Sequence, residues 1–336
     1  MPTDVTVLLG DPALPDRSKP GGGFTPDDFF QVDKLKQALA EITDRNFVFI
    51  NDHGSLIGTL MERPPEFVLN FCDTGFRNEA RHELHVPALL EMLGIPYSGS
   101  GPVALGLCYD KALVRAVADA HGVPVAREVF LRPGDSLPDF VYPAFIKPNR
   151  GDGSVGITEA SLVHDAREAN AYLARLRDEL PGADVLLQEF LSGTEYGMGI
   201  VGNSGDGFTV LPVLEVDYDA LDPDLPRLLS YGSKVDPDSP YWNDVRFRKA
   251  GLDEPAKAQM KSWCVQLFDR LQLRDYARFD FRADAGGRLK LMEVNPNPAW
   301  CWDGKLVHMG ALTGLSHGGV LRLILEAAEK RCFGNS

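Results

Sequence analysis

The stretch Arg278-Phe279-Asp280-Phe281-Arg282, followed by Leu291-Met292-Glu293-Val294-Asn295, gathers the side chains with the clearest chemical potential. Alternation at period two puts Arg278, Asp280 and Arg282 on one face of a strand, and Glu293 and Asn295 on one face of the next. A short turn over residues 284–287 folds the two strands into a hairpin. Asp280, Glu293 and Asn295 can then converge as hard oxygen ligands. Mg²⁺ is usually held by one or two carboxylates plus substrate phosphates, so this set suits a metal–nucleotide complex. Surface charge pairs on a hairpin are the plainer alternative. Against them, Phe279, Phe281, Leu291 and Met292 are strongly apolar neighbours, and acids in such surroundings need a partner.

A second segment, Phe145-Ile146-Lys147-Pro148-Asn149-Arg150-Gly151-Asp152-Gly153-Ser154-Val155-Gly156, ends a β-type run in a lysine and a glycine-rich turn. Glycines let the backbone approach an anion closely, and successive N–H groups form a donor nest to which Lys147 adds a point charge. It is neither a Walker sequence nor a dinucleotide G-x-G-x-x-G. An ordinary hairpin turn fits the same residues, so the segment alone does not decide. A third, residues 185–196, runs an apolar strand into a polar hinge. Its backbone edge can meet a purine and Glu195 can take ribose hydroxyls, although a plain strand and turn would read alike.

The elements that must position these groups alternate between strand and helix in the first third of the chain. Residues 5–9, 47–50 and 67–71 read as short strands. Thr25-Pro26-Asp27-Asp28 reads as a helix start, with a capping hydroxyl, an early proline and carboxylates against the dipole. Such alternation implies a parallel sheet covered on both faces. One amphipathic helix is expected over 103–120, another near 166–176, and strands at 145–147, 185–190, 196–201, 209–216, 278–282 and 289–294. Residues 217–240 form a polar loop long enough to be functional.

Acidic residues outnumber basic ones 48 to 34, a net charge of −14. A general phosphate-backbone binder needs a basic footprint, so nucleic acid is excluded as the expected partner. No apolar run suits a spanning helix, and the first twenty residues lack a signal-peptide core. Five cysteines without C-x-x-C fit reduced thiols and a cytoplasmic enzyme.

In this order the three segments resemble the ATP-grasp superfamily, and particularly its D-alanine–D-alanine ligase-like branch. The resemblance spans residues 83–297, roughly two-thirds of the chain, and includes Gly94-Ile95-Pro96-Tyr97-Ser98-Gly99-Ser100 and Tyr109-Asp110-Lys111, which resembles that branch's Asp-Lys pair at a helix start. It implies an α/β (α+β) architecture of three domains: an N-terminal parallel-sheet domain over 1–108, a central lid over 109–189 and a C-terminal, metal-bearing domain over 190–336. Lys111 and Lys147 would meet ATP phosphates beneath a lid containing Gly151, Gly153 and Ser154. Gln188, Phe190 and Leu191 would border adenine, and Glu195 would hold the ribose. Lys234 would close over the γ-phosphate, Glu83 would stand near the reacting groups, and Arg278 would stabilise an oxyanion. Asp280, Glu293 and Asn295 would bind Mg²⁺, with Mn²⁺ as a substitute. The implied partners are small amino acid or amine substrates, with no nucleic acid or membrane, and the implied assembly is a homodimer.

The implied reaction joins a carboxylate to an amine through an acyl phosphate. A specialised-metabolite ligase or a cyclo-ligase would use the same intermediate, whereas a nucleotide-binding protein without turnover would not need Arg278. Departures from the branch concentrate at the amino-acid end. The early glutamate that meets the first ammonium is missing, since no glutamate precedes Glu41, and Gly153 replaces a serine. The acceptor segment reads Ala299-Trp300-Cys301-Trp302-Asp303-Gly304-Lys305, which suggests a larger acceptor than alanine. Lys305 is expected to pair with a substrate carboxylate and Asp303 with an ammonium. His82 and His85 lack the zinc pattern, and Cys301 reads as a buried, inert thiol.

Overall fold

The computed structural model describes residues 1–151, 154, 156–236 and 238–334, and for Pro20, Lys234 and Val235 the backbone alone. Three sheets organise it. The first is parallel, with β1 (Asp4–Leu8) between β2 (Asn46–Ile50) and β3 (Val68–Asn70). Helix Pro26–Ala40 begins at the expected cap: the Asp28 N–H reaches Thr25 Oγ1 at 3.4 Å, and the Thr25 N–H reaches Asp28 Oδ2 at 2.7 Å. Its Leu35, Ala38 and Leu39 share a core with Val5, Val7 and Phe67. The same core takes Leu321, Leu325 and Ala328 from the final helix, His317–Phe333, so the two ends of the chain pack together.

The second sheet is antiparallel, in the order β4 (Glu128–Leu131), β7 (Val185–Glu189), β5 (Ala144–Pro148) and β6 (Leu162–Val163). Helix Ala166–Glu179 buries Ala169, Tyr172, Leu173 and Leu176 against it. The third sheet holds β8 (Glu195–Asn203), β9 (Gly207–Val210), β10 (Leu214–Asp217), β11 (Arg246–Lys249), β12 (Tyr276–Ala283) and β13 (Leu289–Asn295). Their order is β11-β10-β8-β12-β13, with β9 also beside β8. Ala277, Phe279, Phe281 and Ile200 turn to one face, where helix Glu254–Arg270 covers them with Met260, Cys264, Leu267 and Phe268. Period-two alternation therefore sends Arg278, Asp280 and Arg282 to the other face.

Two expectations are corrected. The helix over 103–120 is two helices, Pro102–Cys108 and Lys111–Ala120. Asp110 breaks it by taking an extended backbone and accepting the Leu113 N–H at 3.1 Å, a cap that cannot form inside a continuous helix. The strand over 209–216 is divided between β9 and β10, around Pro212, which lacks the donor that a ladder requires. Residues 217–240 carry structure of their own, with a short helix at Gly232–Val235 and a small core of Val216, Tyr218, Leu221 and Tyr241. Among the described residues no helix is long and apolar enough to cross a membrane.

Candidate active site

The hairpin of β12 and β13 sets Arg278 opposite Asn295 and Asp280 opposite Glu293, with a bulge after Asp280. Asp280 is 4% exposed. The Arg278 guanidinium grips it in a fork, Nε to Oδ1 and Oδ2 at 3.0 and 3.1 Å and Nη2 to Oδ2 at 2.9 Å. The Asn295 amide donates to the same Oδ2 at 3.2 Å. Burial works to lower the arginine's pKa, but Asp280 and then Glu293 outweigh it and the net shift is upward. On β8, a Cβ at Gly197 or Gly199 would fall 2.9 Å from Met309 or 2.5 Å from Leu306. Glycine there lets helix Lys305–Ala311 lie against the strand. That approach brings Lys305 Nζ to 3.2 Å from Glu195 Oε1 and 3.7 Å from Asp280 Oδ1.

Lys147 is the last residue but one of β5, and Lys111 opens helix Lys111–Ala120. The Lys111 ammonium donates to the Gly151 carbonyl and stands 3.7 Å from Glu293 Oε1, which ties the glycine turn to the hairpin. Asn149 docks the turn on the helix start: its Oδ1 accepts the Ala112 N–H at 2.9 Å and its carbonyl accepts the Lys111 N–H at 3.2 Å. Gly151 has φ +121° and Ser154 φ +65°, the second unusual outside glycine. Ser154 Oγ lies 3.5 Å from the Leu229 carbonyl, and the Tyr231 N–H meets the Ile157 carbonyl at 3.0 Å. The 217–240 segment thus sits on the glycine turn. Gly153 and the Lys234 side chain lie outside the described residues.

Burial, and secondarily the Lys111 charge, push the Lys147 ammonium down to about 8. A triphosphate beside it would restore the charge. Nucleotide binding at pH 8.5 is therefore expected to take up protons, and Lys147→Met to abolish the uptake. Calorimetry in buffers of differing ionisation enthalpy checks this. The folding consequence has the opposite sign from a lysine gaining a partner: Lys147 costs stability while protonated, and that cost fades as pH rises from about 8 toward the unfolded lysine's range.

At the other end, the Gln188 amide donates to Glu128. Phe190 lies 6.4 Å from Phe145 between ring centroids, and the Arg282 guanidinium stands 5.2 Å over its ring. Leu191 is buried. Glu195, 4% exposed, sits deeper than its expected role at a sugar edge: its Oε2 accepts the Tyr218 hydroxyl at 3.3 Å and its Oε1 faces Lys305. Tyr218 belongs to the polar loop and was not among the expected site residues; its tyrosine beside two aspartates gave no pattern by which to find it.

The chemistry available here is that of a polyanion site. Arg278, Arg282, Lys111, Lys147 and Lys305 outnumber the acids Asp280, Glu293 and Glu195, so the face favours a triphosphate over a bare cation. Among the described residues no group of three or more His, Cys, Asp or Glu forms a metal cluster. Two carboxylates and one amide oxygen still make a hard set that fits Mg²⁺ when phosphate oxygens complete the shell.

Residues 134–326 match the family described as D-ala D-ala ligase C-terminus. The protein y4sG of Sinorhizobium fredii is 30% identical over 315 residues, 90% of this chain and 89% of that protein. The D-alanine–D-alanine ligase of Oleidesulfovibrio alaskensis is 32% identical over 251 residues, 72% of this chain and 73% of its own length. The chain belongs to the D-alanine–D-alanine ligase-like ATP-grasp family. The Bacillus anthracis D-alanine–D-alanine ligase crystallised with ATP shares the fold at TM-score 0.72 and 18% identity, covering 98% of each chain. The VanG D-Ala:D-Ser ligase of Enterococcus faecalis shares it at 0.69 and 17%, covering 98% of this chain and 100% of that one.

Within this ATP-grasp chain the amino-acid end departs from expectation. Lys305 faces two carboxylates rather than standing clear for a substrate carboxylate, because α-helical packing over Gly197 and Gly199 aims it at the hairpin. Asp303 is exposed. Trp300 stacks on Phe71 at 6.1 Å and donates Nε1–H to its carbonyl at 3.0 Å. Trp302, 42% exposed, packs edge-on against Phe30 at 6.3 Å. Glu83 lines a small cavity with Asp73, Phe71, Tyr276, Asn297 and Trp300. Asp73 was not foreseen; it follows β3 at the carboxyl end of a parallel strand, where open α/β sheets place ligands. Cys301 is half-buried rather than buried, and desolvation pushes its thiol upward, away from the thiolate form. His82 and His85 stack at 4.5 Å.

Proposed function

We propose that the protein is an ATP- and Mg²⁺-dependent ligase that joins an amino acid carboxylate to an amine and forms an amide through an acyl phosphate. The observation that carries this is the Arg278–Asp280–Asn295 constellation facing Glu293, with Lys111 and buried Lys147 at the same hairpin. A substrate carboxylate oxygen bonds to the γ-phosphorus as ADP leaves. The amine then attacks the carbonyl carbon, loses a proton, and phosphate departs with the electron pair of the broken C–O bond. Asp280, Glu293 and Asn295 would hold Mg²⁺, which when bound offsets the charge of the phosphates. Lys111 and Lys147 place the triphosphate, and Arg278 stands by the carbonyl oxygen as it becomes anionic. Gln188, Phe190 and Leu191 border the base, and Glu195 reaches the ribose once Lys305 releases it.

The turn at Gly151–Ser154 and the 217–240 segment exclude water, since an acyl phosphate left wet hydrolyses. Lys234 of that segment is the lysine that the resemblance assigns to the γ-phosphate. Five free cysteines are consistent with the reducing cytoplasm as its compartment. A homodimer through the N-terminal portion accords with Val48, Ile57 and Met61, which stay exposed there.

Phosphate release measured with D- and L-amino acids, singly and in pairs, tests the proposal. At least one pair is expected to stimulate release well above either member alone and to yield an amide by mass spectrometry. Tight Mg-ATP binding with no turnover for any pair would instead mark a nucleotide-binding protein that has lost catalysis.

A further inference from the structure

We propose that Lys305 is a movable cation of the nucleotide site. Its ammonium leaves Glu195 when a nucleotide enters, meets the phosphate oxygens beside Asp280, and takes over part of the charge neutralisation that a divalent ion would supply alone. This rests on the ligase reading above and adds to it a phosphate-side residue that the resemblance sets at the amino-acid end instead.

The register of the third sheet makes the place for it. On β8, Glu195, Gly197 and Gly199 pair with Arg282, Asp280 and Arg278 of β12. Residues paired across an antiparallel ladder share a face, so the acid and the two glycines lie on the face that bears the charged hairpin groups. The glycines leave that part of the face without side chains, and helix Lys305–Ala311 fills it through Leu306 and Met309. A Cβ at Gly197 would also stand 3.3 Å from Asp280 Oδ1. At the head of the helix, a Cβ at Gly304 would lie 3.1 and 3.0 Å from the carbonyl oxygens of Ala299 and Cys301. The backbone of Lys305 is therefore fixed on both sides. Its ammonium enters a gap between two carboxylates whose side chains are each 5% exposed.

The cations on these acids are not equally free to answer a ligand. Arg278 holds Asp280 with three hydrogen bonds and cannot turn away without breaking its fork. Arg282 donates to the carbonyls of Gly193 and Arg227 and stands 5.2 Å over the Phe190 ring. Among the described residues, Lys305 makes a single hydrogen bond, 3.2 Å to Glu195, and a looser contact of 3.7 Å to Asp280. A lysine is a point charge on a flexible stem, so it exchanges one oxygen for another readily. Ribose hydroxyls that bond to Glu195 replace its ammonium partner. The ammonium then faces the triphosphate that Lys111 and Lys147 place.

Charge sets the consequence. A divalent ion at Asp280 stands beside the Lys305 ammonium, and the two compete for one carboxylate and repel each other. Metal-free triphosphate, by contrast, gains from the ammonium and loses from any acid left unpaired. Removing the lysine therefore acts with opposite signs on two binding steps: it weakens binding of the nucleotide alone and strengthens the complex's hold on the metal. A lysine that only braced its helix through Glu195 would change both steps alike.

The test is calorimetric titration of the full chain with the β,γ-imido analogue of ATP, in EDTA and at saturating Mg²⁺. The readout is the ratio of the metal-free to the Mg²⁺ dissociation constant; comparing this ratio between variants cancels the metal's affinity for the free analogue. Lys305→Met is expected to raise the ratio by about tenfold, and Lys305→Arg, which keeps the charge, to leave it within about threefold of the unmodified protein. Should Lys305→Met fold poorly, the same substitution made in Glu195→Gln removes the buried pair together, and Glu195→Gln alone is its reference. The proposal is overturned if Lys305→Met leaves the ratio unchanged or lowers it, or if arginine raises it as much as methionine does. It is overturned as well if the unmodified protein binds no analogue in EDTA. Failure to bind the analogue even with Mg²⁺ would overturn the ligase reading, whereas binding with a ratio unmoved by Lys305→Met removes the Lys305 inference alone.

Discussion

Asp280→Asn is expected to reduce amino-acid-stimulated phosphate release by about 10²–10³-fold, the scale on which single charge-stabilising groups act in preorganised sites. The carboxylate answers to three groups at once: the Arg278 fork, the Asn295 amide and the Lys305 ammonium at 3.7 Å. An asparagine amide presents one oxygen and one NH₂, so one side of the arginine fork meets a donor instead of an acceptor. Both cations lose their counter-charge, and a divalent ion loses a hard anionic ligand. Glu293→Gln is expected to act in the same direction and to free Lys111 from its contact at 3.7 Å. Asp280→Glu, which keeps the charge but lengthens the arm past the bulge, should recover part of the rate. Phosphate release at saturating amino acids, with circular dichroism to confirm folding, decides it. A rate within threefold of the unmodified protein would mean that the hairpin acids do not serve the nucleotide.

The hairpin was legible because its information is local. Period-two alternation over Arg278–Arg282 needs only the strand itself, and apolar neighbours on the alternate positions said which face was buried. The cap at Thr25 was legible for the same reason. What could not be read was long-range and depended on small residues. Lys305 looked like a free cation near an acceptor; only the packing of its helix onto Gly197 and Gly199 turns it to Glu195 and Asp280. Tyr218 looked like loop polarity, yet a four-residue core folds its hydroxyl back to Glu195. Asp73 carries no motif, and only the fold brings it to the same cavity as Tyr276 and Trp300, which are distant in sequence. The break at Asp110 is legible through the Asp110-Lys111 pair, which the resemblance sets at a helix start, and not through apolar periodicity, which runs on through a residue whose side chain caps instead of continuing.

Asp275→Ala is expected to destabilise the fold by about 3–5 kcal/mol, the cost of leaving a buried charge without its partner. Asp275 is 0% exposed and accepts four side-chain or backbone donors: Arg331 Nε and Nη2, each at 2.8 Å, Asn203 Nδ2 at 3.0 Å and the Gly99 N–H at 2.8 Å. It thereby fastens β8, the final helix and the turn that leads into helix Pro102–Cys108 to the start of β12. Its φ of +65° adds a local penalty for alanine, which tolerates that region less well than aspartate or asparagine. Asp275→Asn separates the two effects, since it keeps the backbone preference and shape but surrenders the charge facing Arg331. It should fall between alanine and the unmodified protein in urea midpoint. The turn it holds continues to Ser100, whose N–H meets Asn297 Oδ1 at 2.9 Å and whose hydroxyl meets the Pro296 carbonyl at 3.2 Å. The strand end that bears Asn295 is therefore clamped from outside the sheet. Mild urea should accordingly weaken Mg-nucleotide binding in Asp275→Asn before global unfolding begins, whereas the unmodified protein should lose both together. Binding and unfolding curves that coincide for the variant would show that this clamp serves stability alone.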